Sequence, residues 1–128
     1  MTIRFGKELH PDTFSDYAEQ AAKLIANNSA QGSPDKDKDK PTQLRRFYDE
    51  LCMWQEKVGT SDDKYAELAP YIKMLNAKVA YAEGRKHVSG KFRELYRDCL
   101  KEVNSAETLR HCKLFMEAFM GFYKGLKG

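Results

Sequence analysis

The sequence has 128 residues, of which 41% are hydrophobic and 32% charged, with a formal net charge of +3. A chain of this length forms one domain and buries roughly two-thirds of its unfolded surface, so residues 1–128 need no disulfide or structural metal to fold. Seven Phe, seven Tyr and one Trp exclude a wholly disordered chain. No apolar run approaches the roughly 18 residues of a membrane span. The opening stretch, including Ile3, Arg4, Phe5, Gly6 and Lys7, has no apolar signal-peptide core. A cytoplasmic protein without membrane contact is expected.

The elements in chain order are helical. Phe14, Tyr17, Ala18, Ala21, Leu24, Ile25 and Asn28 share one side at 3.6 periodicity, behind a capping-box pattern of Thr13 and Asp16. Residues 29–41 break this pattern. They hold alternating Asp and Lys, two Pro and one Gly, and no large apolar side chain. A flexible, solvated linker inside the single domain is expected there.

A second helix begins near Thr42 and turns Leu44, Phe47, Tyr48, Leu51, Trp54, Gln55 and Val58 inward, with Gly59 just past its end. The third opens at Thr60 with Asp63 as its reciprocal cap. Pro70 kinks or restarts it, and Leu68, Ile72, Leu75, Val79 and Ala82 form its apolar stripe. Ser89 starts the fourth, with Phe92, Leu95, Tyr96, Cys99 and Val103 inward. Asn104 and Glu107 cap the fifth, whose broad face runs from Leu109 through Cys112, Phe115, Met116, Phe119, Phe122 and Tyr123 to Leu126. Short connections make antiparallel neighbours, so the expected fold is all-α, a single-domain bundle of about five helices.

Catalytic signatures are missing. His10, His87 and His111 are scattered, and no metalloprotease, nucleophile-elbow or phosphate-loop motif occurs. Cys52, Cys99 and Cys112 lie on or beside apolar stripes and read as small buried hydrophobes. Neither an enzyme nor a cofactor is expected.

Charge is more informative. Residues 71–101 hold eight basic side chains against Glu83, Glu94 and Asp98. Met74, Lys78, Tyr81 and Arg85 form one helical stripe beside the core stripe, pairing phosphate-binding charge with an aromatic plane. The bland reading is a core edge whose Lys and Arg reach into water. Arg93, Arg97 and Lys101 form a second stripe, which Glu94 and Asp98 could neutralise locally. Arg85, Lys86, His87 and Lys91 populate the loop and helix start between the two, so one basic surface around residues 84–91 is expected. Arg45 and Arg46 oppose the dipole at the start of the second helix, although Asp49 and Glu50 stand four residues on.

Thr42 to Tyr48, Pro70 to Arg85 and Phe115 to Lys124, in this order and spacing, resemble the small helical subunit of the type III-A CRISPR effector, the Csm complex. The likeness covers about residues 42–125. It implies a non-catalytic subunit that supports guide RNA and its pairing with target RNA. Its partners would be those RNAs, other subunits of the effector, and further copies of itself along a filament. The RNA-contact candidates are Arg45, Arg46, Lys78, Arg85, Lys86, Lys91, Arg93 and Arg97. The alternative is a helical protein–protein adaptor without nucleic-acid contact.

Overall fold

The computed structural model describes residues 3–127. Among these, six helical segments follow one another: α1 (Asp16–Asn28), α2 (Pro41–Val58), α3 (Asp62–Lys73), α4 (Leu75–Gly84), α5 (Gly90–Lys101) and α6 (Ala106–Lys127). They form an all-α bundle. Helix α6 is its central strut and packs most extensively on α1 and α2, while α4 packs on α5.

Its apolar face explains this position. Leu109, Cys112, Phe115, Met116, Phe119 and Tyr123 follow the three- and four-residue steps of one helix side and are all buried. Phe92 and Tyr123 both pack near Phe119, with centroids 6.2 and 5.4 Å away. Farther along the same helix, Leu126 is 48% exposed, so the stripe leaves the core before the helix ends. Burial pushes the Cys112 thiol up to about 12 and that of Cys99 well above its ordinary value, which keeps both uncharged. Cys52 is half-buried.

The caps fall close to their expected places. Ser89 accepts from the Phe92 N–H at 3.1 Å, as its position predicts. Ser61 caps α3 through the Lys64 N–H, one residue after Thr60, and Ser105 caps α6 through the Thr108 N–H, one residue after Asn104. Helix α1 starts at Asp16 with no side-chain cap from Ser15, and Thr13 is buried instead. Its inward side is also turned. Ala18, Ala21, Ala22 and Ile25 are buried, while Leu24 is 55% exposed. Small alanines let α1 approach α6 closely, which a Leu24 facing inward would prevent.

The expected third helix is two segments, and the break falls at Met74, not at Pro70. Pro70 and Ala66 are both exposed, so water can satisfy the Ala66 carbonyl that the proline leaves without a donor. The Met74 N–H still reaches the Pro70 carbonyl at 3.2 Å.

Lys73, at the end of α3, donates through Nζ to the carbonyls of Leu100 and of Val103, the second at 2.8 Å. Tyr65 adds its hydroxyl to Val103 at 3.0 Å. The end of α5 is thereby closed by side chains of α3, and burial holds the Lys73 pKa below its ordinary value. Replacing Lys73 with Met keeps the stem and removes the donor. A loss of about 1–2 kcal/mol in urea unfolding is expected. An unchanged midpoint would mean that water serves these carbonyls equally well.

The stretch between α1 and α2, residues 29–40, is chiefly a run of turns. Its middle is largely exposed, but its ends are built into the bundle. Ser29 is buried, and Lys127 donates to its carbonyl at 3.2 Å. Asp39 is fully buried, although the sequence places it among residues with nothing to bury. Its N–H donates to the His87 carbonyl at 3.0 Å, and its Oδ1 accepts from the Ser89 N–H at 2.7 Å. Its carbonyl accepts from the Tyr123 hydroxyl at 2.5 Å. The backbone of Asp39 has a φ of 61°, a left-handed conformation that Asp tolerates better than most residues.

Candidate nucleic-acid interface

Two helical stripes face each other across an open groove of about 630 Å³. Gln43, Arg46, Phe47 and Glu50 come from α2 at steps of three, one and three. Ala77, Lys78, Tyr81 and Ala82 come from α4, with Met74, Arg85 and His87 at its ends. The buried residues Leu44, Leu51, Leu75 and Val79 hold the two helices in the core. Each groove stripe lies beside its own core stripe.

Lys78 crosses the groove to Glu50, with Nζ 3.0 Å from Oε1. The other carboxylate oxygen, Oε2, is buried and finds no hydrogen-bond partner among the described residues. This pairing overrides the local one expected between Arg46 and Glu50. Arg46 contacts Gln43 Oε1 at 3.4 Å instead. The Arg85 guanidinium lies 5.9 Å from the centre of the Tyr81 ring and donates to its hydroxyl at 3.2 Å. Tyr81 is 67% exposed.

Arg46, Lys78 and Arg85 share the α2–α4 groove. Lys86 lies in the turn after α4, where its φ of 64° places it at the left-handed position of a helix-ending motif. Its N–H and that of His87 bond back to Glu83 and Ala82 at 2.9 Å each. Lys91 lines a different groove with Ile3, Leu24 and Asp98. Arg45 faces a third, beside Tyr48, Glu117 and Lys124, and pairs with Asp49 at 3.7 Å. Arg93 is engaged by Glu83 at 2.8 Å, a partner ten residues back rather than a neighbour on α5. Arg97 is exposed on α5.

Glu50 belongs to the groove lining and is absent from the sequence-derived set, while His87, expected on the basic surface around residues 84–91, lines the groove as well. Glu50 was legible in part, since it continues the Gln43 and Arg46 stripe by one turn. Among the described residues no group of three or more His, Cys, Asp or Glu side chains is placed to hold a metal ion. Nor is any helix among them long and apolar enough to cross a membrane.

These features define a small all-helical protein with a cationic groove edged by an exposed tyrosine. The family model described as Csm2 Type III-A matches residues 10–128, and the chain belongs to that family, the small structural subunit of the type III-A CRISPR effector complex. No curated protein and no solved structure matches the chain.

Proposed function

We propose that this chain is a non-catalytic, RNA-binding subunit that supports guide RNA and its pairing with target RNA, in copies arranged along a filament with other subunits. The observation that carries this reading is the α2–α4 groove. It brings Arg46 of α2 to one face with Lys78 and Arg85, more than thirty residues away, and Glu50 is the only carboxylate lining it among the described residues. A subunit of an RNA-guided complex has no need to read bases, because pairing supplies the sequence information. It needs cations set against a phosphate track, and binding then falls steeply with salt.

A protein–protein role draws on a different place. Trp54 and Tyr71 stack at 6.3 Å with 13° between their planes, and Tyr71 is 55% exposed. This aromatic pair suits a neighbouring subunit and coexists with the RNA reading. If it were the chain's whole purpose, the groove cations would serve solubility alone.

Filter binding to single-stranded RNA separates the two. Lys78→Gln with Arg85→Gln removes two charges without setting a new carboxylate against Glu50. RNA affinity should fall, and the salt slope should shrink by about 0.7 for each phosphate that is no longer neutralised. The control pair is Lys113→Gln with Lys124→Gln on α6, where Lys113 is already held by Glu117 at 2.8 Å. Equal weakening in both pairs would reduce the effect to overall charge, and none in the first would leave the adaptor reading in front.

A further inference from the structure

We infer that the α2–α4 groove takes an unpaired nucleobase, stacked on Tyr81 with its flanking phosphates on Arg46 and Arg85, so that the chain prefers single-stranded to duplex RNA. This rests on the RNA-binding reading and specifies which part of the nucleic acid the groove holds.

Tyr81 contributes little to the core. At 67% exposure it presents most of its ring to solvent, which wastes a large apolar surface in a chain that stood alone. Yet the ring is not free to wander. Arg85 lies against it and holds its hydroxyl at 3.2 Å, one helical turn along α4. A ring restrained before binding loses less conformational entropy when a ligand stacks on it. The planar guanidinium also offers a second stacking surface beside the first.

The lining fits a base better than a phosphate track alone. Phe47, Met74, Ala77 and Ala82 supply apolar wall, which the charged phosphates cannot use and a base can. A duplex keeps its base faces stacked inside and has none to offer. A single strand exposes them, and stacking on an aromatic ring tolerates every base because each has a π-face. The volume of about 630 Å³ lies within the roughly 300–1,000 Å³ typical of small-ligand sites.

Charge is complementary as well. Lys78 answers Glu50 at 3.0 Å, so that carboxylate does not repel an incoming strand at full strength. Arg46 and Arg85 make no ion pair among the described residues and stand ready for the phosphates on either side of the base. Both are planar donors suited to phosphate oxygens.

Fluorescence anisotropy on the full chain tests the inference, with a labelled oligouridine, the same strand carrying an abasic position at each register, and a duplex of equal length. The parent should bind the single strand more tightly than the duplex at one salt concentration. Tyr81→Leu should weaken single-strand binding by about 5- to 100-fold and leave the duplex unchanged. Tyr81→Phe should retain most of the affinity. For the parent, abasic strands should bind more weakly, and Tyr81→Leu should show a smaller reduction on them than on the intact strand. Circular dichroism checks that each variant stays folded, and the abasic comparison needs no variant. If Tyr81→Leu and abasic strands bind as the parent and intact strand do while Lys78→Gln with Arg85→Gln weakens binding, the groove holds backbone only. The inference then falls while the subunit reading stands. Equal reductions on duplex and single strand would also overturn it. If neither set of variants weakens binding, both readings fall.

Discussion

Phe119→Ala is expected to destabilise the chain by about 3–5 kcal/mol. Phe119 is fully buried at the middle of α6, against Phe92 of α5 and Tyr123 of its own helix. Truncation removes the ring's transfer free energy and leaves a cavity that the packed core cannot easily close. It also abolishes both aromatic pairings. A chain of this size should then melt more than about 10 °C lower. The readout is thermal unfolding followed by far-ultraviolet circular dichroism. A variant as stable as the parent would show that the α6 aromatics do not carry the core. Phe122 is the comparison, because it lies one step round the helix and is only half-buried. Its truncation should cost clearly less.

Asp39→Ala should cost about 1–3 kcal/mol, because it strips the buried Ser89 N–H of its acceptor at the start of α5. Asp39→Asn keeps an acceptor and suits the left-handed backbone at φ 61°. The two variants therefore separate the hydrogen bond from the charge. Burial raises the Asp39 pKa, and the bond from Ser89 only partly opposes this. Its second oxygen is buried with no hydrogen-bond partner among the described residues. The sign follows from linkage. A raised folded-state pKa gives stability that is fully present below the unfolded value, near 3.8, and is lost as pH rises through the folded value. Asp39→Asn should thus be at least as stable as the parent at neutral pH. The parent should gain on it as pH is lowered from 7 towards 4. Melting both proteins across that range measures the difference, and carboxylates common to both cancel. An Asn variant as damaged as the Ala variant, with a gap that does not move with pH, would show that the ionised carboxylate itself is required.

The same residue bears on the groove. Asp39 holds the turn of residues 86–89 by its N–H and its carboxylate, and that turn carries His87 into the lining. Replacing residues 33–40 with a plain Gly/Ser loop would therefore disturb more than a solvated tether. Composition shows only that an Asp has no apolar surface to bury. It does not show the buried N–H of Ser89, fifty residues away, that needs an acceptor.

Periodicity and capping chemistry determined the helices of this protein, because both are local. Apolar residues at three- and four-residue steps must share a side, and Ser or Gly at a helix end satisfies orphan backbone groups wherever the helix later packs. The buried stripes of α2, α5 and α6 were legible for this reason, as was the order of the elements. Which way α1 turns was not, since Leu24 and Ala22 exchange roles only once α6 demands a close approach. The groove divides along the same line. The stripe of Met74, Lys78, Tyr81 and Arg85 is a property of one helix and was visible in the sequence. Its meeting with Arg46, the capture of Glu50 by Lys78 and the pairing of Arg93 with Glu83 are properties of packing. Charges pair with whatever the fold sets beside them, and sequence spacing names partners only along a single helix.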